Sequence, residues 1–96
     1  MVVDIYNIRL PNRFDFSHHK IFNQEIESLF KQSNVKEIHL DFSQVNYLDS
    51  SALGMLVLLS KKNEKLFGAK LSIKGAHGSA FEILEIAQMG RLYAFI

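Results

Sequence analysis

The sequence predicts an α/β domain with roughly four to five strands in a mainly parallel or mixed sheet and about three to four helices. The first observation is an alternation along the chain, in the order strand, helix, strand, helix, strand, helix, strand. The second is that the loops between these segments are short. The third is the length of 96 residues, which suffices for one domain. We therefore expect residues 1–96 to form a single layered domain, with one sheet face only thinly covered.

The N-terminal segment predicts a strand followed by an amphipathic helix. Residues 1–10 are β-branched and apolar at both ends, and Pro11 and Asn12 end the predicted strand. Ser17 is the predicted N-cap of the helix, which is expected to end at residues 33–34. Apolar residues recur there at spacings near three and four, the pattern of a helix with one buried face: Ile21, Phe22, Ile26, Leu29 and Phe30.

The middle of the chain predicts a strand, a loop and a long helix. Residues 35–42 alternate, with one apolar side formed by Ile38, Leu40 and Phe42. A loop is expected over residues 43–49. The second helix is predicted to run from about Ser50 to Lys65, and Gly68 follows as its terminator.

The last third predicts another strand, a third helix and a short final strand. Residues 69–74 alternate again, and residues 92–96 can add the last strand. Between them, Ser79 and Glu82 match the capping-box pattern at a helix start, and Gly90 is the predicted helix end. The helix carries the apolar residues Phe81, Ile83, Leu84, Ile86, Ala87 and Met89.

Composition excludes several classes of function. Eleven basic and ten acidic residues leave a net charge of +1, which gives no reason to expect nucleic acid or an anionic membrane as a partner. There are no cysteines, so disulfides, thiolate metal sites and cysteine nucleophiles are excluded. The longest apolar run, residues 52–59, is far shorter than the roughly 20 residues that span a bilayer. With no secretory signal, a cytoplasmic protein without direct membrane insertion is expected.

That apolar run raises a specific question about the second helix. Eight consecutive apolar residues point to every side of a helix, whereas a helix on a sheet needs only one apolar stripe. The remaining residues must be covered by another element or exposed for a partner. Two interpretations stay open and can coexist: a central helix between the sheet and a neighbouring helix, and a docking surface that begins at Ser50.

Residues 41–54, DFSQVNYLDSSALG, resemble the central motif of STAS domains, the anti-sigma factor antagonists. In that family an Asp-led loop reaches an aromatic or apolar pair, then Asp-Ser-Ser/Thr-Gly-Leu-Gly and an apolar helix. Residues 13–17 also resemble the family's first strand-to-helix connection, and residues 89–92 are similar to its C-terminal pattern. The likeness covers nearly the whole chain. Ala52 departs from it, because the family usually has glycine there.

The resemblance implies a STAS-like fold and a partner-switching function. Such domains bind an anti-sigma factor, often a serine kinase of the histidine-kinase-like ATPase fold, and thereby release a sigma factor. The kinase phosphorylates the serine after the motif aspartate, and a metal-dependent serine phosphatase reverses this. The motif maps Ser50 to the phosphorylated serine, Asp49 to the preceding acid, Ser51 to the second hydroxyl and Asp15 to the acid of the first loop. Partner contacts are expected at the start of the helix, at Leu53, Gly54 and Met55.

Other interpretations remain beside this one. From residue types alone, a capping pair is the favoured interpretation of Asp49 and Ser50, and only the resemblance favours a phosphorylation site over it. Some STAS domains are instead constitutive accessory subunits of membrane transport complexes, lipid-transport ATPases among them, without a serine switch. A nucleotide-sensing or weakly hydrolytic domain lacks support, because the sequence has no phosphate-binding glycine loop.

No enzymatic or metal chemistry is expected. Ser50 lacks the Gly-x-Ser-x-Gly elbow of a serine hydrolase. His18 and His19 point about 100° apart on a helix and have no suitably spaced third ligand, so all four histidines are expected on the surface or near helix caps. No cofactor is expected. The exposed edge of the N-terminal strand would allow a homodimer.

Overall fold

The main sheet is built from parallel strands, as the alternation of segments predicts. The structure, a computed structural model, describes residues 4–31, 35–66 and 68–96. Its strands in chain order are β1 (Ile5–Arg9), β2 (Arg13–Phe14), β3 (Glu37–Asp41), β4 (Tyr47–Leu48), β5 (Lys70–Lys74) and β6 (Ala94–Phe95). Its α-helices are α1 (His19–Phe30), α2 (Ser50–Leu66) and α3 (Gly78–Ile86). Two 3₁₀ turns cover Phe16–His18 and Met89–Arg91.

Among the described residues, the main sheet has four strands in the order β1-β3-β5-β6, and every neighbouring pair is parallel. Strands β2 and β4 form a separate two-stranded parallel sheet. The predicted fold class, an α/β domain with a mainly parallel sheet of four to five strands, is therefore confirmed. Strand β1 lies at an edge of the main sheet. The homodimer, which stays a prediction, would form by pairing of this edge with the same edge of a second copy.

The helices share one core with one face of the main sheet. Ile8, Leu40 and Ile73 are register partners on adjacent strands, and all are at most 2% exposed. They belong to the same core cluster as the buried residues of the three helices: Phe22, Ile26 and Leu29 of α1, Ala52, Met55, Leu56 and Leu59 of α2, and Ala80 and Leu84 of α3. Alternate strand residues face the opposite side. The row next to Ile8, Leu40 and Ile73 there is polar and consists of Asn7, His39 and Ser72.

The apolar run of α2 is mostly core. Four of its residues are buried, Leu53 and Val57 are half-buried, and Gly54 and Leu58 are exposed. Helix α2 packs against α1, and the buried hydroxyl of Tyr93 donates a hydrogen bond of 2.7 Å to the carbonyl of Leu56. The central-helix interpretation thus accounts for most of the run. The exposed remainder is small and consists of Gly54 in the second turn and Leu58 at the middle of the helix.

The predicted start of the first helix is wrong. Ser17 is not an N-cap: the side chain of Asp15 accepts the amide of Ser17 and caps the 3₁₀ turn, and α1 begins only at His19. Ser17 and Asp15 are both good capping residues, so the pattern alone could not choose between them. The predicted end, residues 33–34, lies outside the described residues.

The predicted limits of the third helix are also wrong. Helix α3 begins at Gly78 with His77 as its N-cap, so Ser79 lies inside the helix and does not form the capping box with Glu82. The helix ends at Ile86, and Gln88 adopts a left-handed conformation with φ of 59°. Gly90 therefore lies within the following 3₁₀ turn instead of ending the helix.

The remaining differences concern strands. Strand β1 spans Ile5–Arg9, and residues 1–3 of the predicted strand lie outside the described residues. The predicted loop over residues 43–49 contains β4, which was missed because a two-residue strand has no periodicity to detect. Strand β5 does not alternate between buried and exposed, because Leu71, Ser72 and Ile73 are all buried.

Asn63 connects the end of α2 to β5 and yields a stability prediction. Its side-chain amide donates to the carbonyl of Ala69 at 2.8 Å and accepts from the amide of Ala69 at 3.1 Å, and Asn63 is only 4% exposed. Asn63→Ala would leave both buried backbone groups without partners. We expect it to lower the free energy of unfolding by about 2–4 kcal/mol in urea denaturation. Glu64→Ala, at an exposed neighbouring position, should change it by less than about 0.5 kcal/mol, and equal losses in both variants would contradict the prediction.

Candidate functional site

The small sheet of β2 and β4 brings two distant acidic residues together. Arg13 is the register partner of Tyr47, and Phe14 is the partner of Leu48. Asp15 directly follows β2 and Asp49 directly follows β4. Because the two strands are parallel, both aspartates lie at the same end of this sheet. Phe14 and Leu48 are buried at 0% and 3% exposure and fix the pair of strands to the core. The site therefore lies where the first 3₁₀ turn and α2 both begin.

Asp49 is the N-cap of α2 and also ties it to the 3₁₀ turn. Its Oδ1 accepts the amide of Ala52 at 2.9 Å, and its carbonyl accepts the amide of Leu53 at 3.2 Å. Its Oδ2 accepts the amide of Phe16 at 3.4 Å. The carboxylate satisfies one of the free amides that every helix start exposes. Of the proposed capping pair, it is thus the aspartate that caps, and the hydroxyl of Ser50 is not needed for this bond.

Asp15 is held by both of its near neighbours. Its Oδ1 accepts the amide of Ser17 at 3.0 Å and also the hydroxyl of Ser17, while the Nε of Arg13 donates to its Oδ2 at 2.7 Å. The bonds from Ser17, followed by the bond from Arg13, hold the pKa of Asp15 below its ordinary value. The guanidinium carbon of Arg13 lies 4.6 Å from the ring centroid of Tyr47, its cross-strand partner.

The lowered pKa of Asp15 predicts a pH-dependent contribution to stability. Because the folded pKa lies below the unfolded pKa of about 3.9, the stabilisation is fully present above that value and is lost as the pH falls through the folded pKa. Asp15→Asn should therefore be less stable than wild type at pH 6, and the difference should shrink toward pH 3. Urea denaturation at several pH values measures this.

The control for this prediction removes the largest cause of the shift. Ser17→Ala deletes the hydroxyl bond to Asp15, so it should show the same trend with a smaller gap. A gap between Asp15→Asn and wild type that stays constant from pH 6 to pH 3 would contradict the prediction.

The two hydroxyls of the motif differ in accessibility. Ser50 is the first residue of α2 and is exposed, whereas Ser51 is half-buried. Ser51 also lines a shallow groove of about 250 Å³ between the first 3₁₀ turn, α1 and α2. We call this the α1–α2 groove, and its walls are formed by Phe16, His19, Asn23, Ser51, Gly54, Met55 and Leu58.

The residues predicted to contact a partner are placed unequally. Gly54 is exposed, and a Cβ built on it would meet no atom within 4 Å. Leu53 is half-buried, and Met55 is only 5% exposed and reaches the floor of the groove from the core. Ala52, at the position where the family usually has glycine, is fully buried.

Sequence reasoning missed the outer wall of the groove. Phe16 is 67% exposed and stacks on the ring of His19, with centroids 5.5 Å apart and an interplanar angle of 17°. Leu58 is 44% exposed. An available signal was that Phe16 falls between two polar residues and outside the apolar stripe of α1. Arg13 was part of the motif but had no assigned role.

The expectation that all histidines lie on the surface or near caps is wrong for His39. Its side chain is only 14% exposed, and its Nε2 is buried 3.6 Å from Glu37, without a hydrogen bond within the described residues. His77 does lie at a cap, and its Nε2 is 3.0 Å from the carbonyl of Ser43. No group of three or more His, Asp or Glu residues suited to a metal ion occurs within residues 4–31, 35–66 and 68–96.

Comparison with known families and sequences gives a consistent result. Residues 6–94 match the family described as "Mlab, STAS domain". A STAS-domain-containing protein of Pseudomonas aeruginosa is 31% identical over 86 residues, which are 90% of this chain and 82% of that protein. Within the described part of the chain, no helix is long and apolar enough to cross a membrane.

Solved structures show the same fold at lower identity. A candidate anti-sigma factor antagonist from Thermotoga maritima matches with a TM-score of 0.79 and 21% identity, over 99% of this chain and 81% of that one. SpoIIAA of Bacillus in its phosphorylated form matches with a TM-score of 0.72 and 16% identity, over 100% and 86%. A sulfate transporter family protein from Wolinella succinogenes matches with a TM-score of 0.73 and 17% identity, over 99% and 80%.

Proposed function

This chain belongs to the STAS domain family, and from that premise we propose that it is an anti-sigma factor antagonist switched by phosphorylation of Ser50. Unphosphorylated, it binds an anti-sigma factor that is a serine kinase of the histidine-kinase-like ATPase fold and so releases a sigma factor. The kinase transfers phosphate to Ser50, and a metal-dependent serine phosphatase removes it. The fold likeness to SpoIIAA, which has been solved in unphosphorylated and phosphorylated forms, supports the proposal.

The observation that carries the proposal is the exposed position of Ser50 at the start of α2. A kinase must bring its substrate hydroxyl into its own active site, and Ser50 is exposed while Ser51 is half-buried in the wall of the α1–α2 groove. The capping bond of α2 comes from Asp49, so modification of Ser50 leaves that bond in place. These facts favour Ser50 over Ser51 as the acceptor.

A phosphate at this position would change the surface more than the fold. Phosphoserine carries about −1.5 to −2 charges near neutral pH. At the first residue of a helix that charge is favourable, because the macrodipole is positive there. A partner that fits a neutral hydroxyl would instead meet a strongly hydrated anion beside Asp49, with Asp15 on the neighbouring strand end. Phosphorylation should thus weaken binding and leave the fold intact.

The decisive experiment is phosphorylation in vitro with candidate switch kinases of the source organism. The protein is incubated with kinase and ATP, and mass spectrometry locates the phosphate in wild type, Ser50→Ala and Ser51→Ala. We expect phosphate on Ser50 in wild type and Ser51→Ala, and none in Ser50→Ala. An active kinase that modifies its other substrates but leaves Ser50 unmodified would contradict the proposal.

Two substitutions at Gly54 are expected to affect stability and partner binding differently. Because the Cβ of Gly54→Ala would meet no atom within 4 Å, we expect that variant to be about 0.5–1 kcal/mol more stable in thermal unfolding.

Gly54→Leu should fill the α1–α2 groove and lower the affinity for the anti-sigma factor about tenfold or more in calorimetry, a loss of about 1.4 kcal/mol. Glu64→Leu, also exposed on α2 but outside the groove, is the control and should bind normally. Full affinity in Gly54→Leu would contradict a role for the groove.

A second candidate is a constitutive accessory subunit of a membrane transport complex, such as a lipid-transport ATPase. The fold likeness to the sulfate transporter family protein favours it. In this case the start of α2 would dock permanently on a transporter subunit, and Ser50 would stay unmodified. Affinity purification from cells separates the candidates: a switch kinase with phosphate on Ser50 supports the first, and a transporter ATPase with unmodified Ser50 supports the second.

A further inference from the structure

Within the described part of the chain, the side chain of Arg13 makes one hydrogen bond, to Asp15. It precedes Asp15 by two residues, stacks on Tyr47 and donates its Nε–H to Asp15 at 2.7 Å. The N–H groups of its two terminal nitrogens make no hydrogen bond within the described part of the chain. A guanidinium is a fork suited to bind two oxygens at once, so a large part of its donor capacity is unused here.

The strand register places Arg13 beside the segment that leads to Ser50. Tyr47, which supports the guanidinium, precedes Ser50 by three residues on the segment that leads into α2. The intervening Asp49 is bonded to the amide of Phe16, which ties the two chain segments together. Asp15, followed by Tyr47 and Asp49, raises the pKa of Arg13. The guanidinium thus already lies in the electrostatic field of the residue directly before Ser50.

The lysines of α2, His18 and Arg9 are worse placed than Arg13. The lysines of α2 begin at Lys61, about 16 Å along the helix from Ser50. Burial lowers the pKa of His18, which keeps its ring neutral near pH 7. Arg9 lies on β1 in the other sheet and pairs with Asp41 at 3.9 Å.

We propose that Arg13 is the intramolecular ligand of phosphorylated Ser50. On phosphorylation, the Arg13 side chain breaks its bond to Asp15 and binds the phosphate through its terminal nitrogens. The proposal rests on the proposed phosphorylation of Ser50. A dianion with three acceptor oxygens competes favourably with a singly charged carboxylate for a guanidinium. Asp15 keeps its two bonds from Ser17 after Arg13 leaves, so its carboxylate still has hydrogen-bond donors. The backbone of Arg13 is fixed by its pairing with Tyr47 of β4, so in this exchange Arg13 moves through its side-chain torsions.

This exchange gives Arg13 a role in both states of the switch. In the unphosphorylated protein it partly neutralises Asp15, the residue before Phe16 of the α1–α2 groove. In the phosphorylated protein it is withdrawn to the phosphate, and Asp15 becomes more negative toward a partner. Phosphorylation would then alter the charge on the first 3₁₀ turn as well as at Ser50.

The test is a titration of the phosphate itself. Phosphoserine is incorporated at position 50 during synthesis through an expanded genetic code, and ³¹P NMR follows its second pKa, which is ordinarily about 6. We expect that pKa to be at least about half a unit higher in Arg13→Gln than in wild type, because a nearby positive charge favours the dianion. Arg13→Lys should show an intermediate value. Arg9→Gln removes the same charge from the other sheet and should titrate like wild type.

A second readout follows the arginine. The ¹H–¹⁵N signal of the Arg13 Nε–H should shift between serine and phosphoserine at position 50, while the backbone spectrum of Arg13→Gln confirms that the variant folds. Equal phosphate pKa values in wild type and Arg13→Gln would overturn the proposal. Because the phosphate is installed without a kinase, a kinase that ignores Ser50 refutes the proposed function and leaves this test unaffected.

Discussion

Ser50→Asp is expected to lower the affinity for the anti-sigma factor by about 100-fold, or ~3 kcal/mol, while leaving the fold unchanged. The new carboxylate lies beside Asp49 and must be desolvated in the interface, where a like charge or an unpaired charge is costly. At the first residue of α2 the same charge interacts favourably with the helix dipole, so thermal stability should stay equal or rise slightly. Isothermal titration calorimetry and thermal unfolding measure the two quantities.

The control adds the same charge elsewhere. Ser28 is exposed near the end of α1, away from the start of α2, and Ser28→Asp should bind the anti-sigma factor like wild type. Ser50→Ala should also bind like wild type and resist switching. If Ser50→Asp bound as tightly as the wild-type protein, charge at this position would not be the switch.

Phe14→Ala is expected to lower the free energy of unfolding by about 3–5 kcal/mol, the largest effect among the stability predictions. Phe14 is fully buried, and its ring lies 5.5 Å from Phe22 and 6.1 Å from Phe42, centroid to centroid. Its removal leaves a cavity between the rings of Phe22 and Phe42 that rigid strands and helices cannot close. Urea denaturation measures the loss.

A matched control lies two residues along the chain. Phe16 is 67% exposed, so Phe16→Ala should change stability by less than about 0.5 kcal/mol while weakening partner binding at the α1–α2 groove. The pair therefore separates a core phenylalanine from a surface one. A loss below about 1 kcal/mol in Phe14→Ala would mean that β2 is not anchored through this ring.

The elements with strong periodicity were predictable from sequence. The strand predicted over residues 35–42 contains β3 (Glu37–Asp41), because burial of one face imposes an alternating pattern. The second helix begins at Ser50 as predicted, where the polar Asp49 and Ser50 precede a long apolar run. Helix limits were less predictable. Ser17 and the Ser79–Glu82 pair fit local capping rules. The N-cap residues are instead Asp15 for the 3₁₀ turn, His18 for α1 and His77 for α3. Local rules allow several caps, and tertiary packing selects one.

The geometry of the site was beyond sequence reasoning from periodicity. Resemblance selected Asp15, Asp49 and Ser50, but the contact between the two acidic segments depends on the pairing of β2 with β4, which are two residues long. The α1–α2 groove is likewise formed by residues from three elements, and the isolated position of Phe16 between polar residues does not show which elements it will lie beside. Long-range pairing of short segments leaves no periodic trace.

The pairing of β2 with β4 also has a consequence for the order of folding. It joins Phe16 to Asp49 across 33 positions, and such non-local contacts form only when a long loop is closed. A nascent chain can therefore contain Ser50 without the surrounding surface, since Asp15, Arg13 and the 3₁₀ turn reach it only when this loop closes. Under the proposed function, recognition of Ser50 would thereby be coupled to completed folding, and immature chains would not compete for the partner.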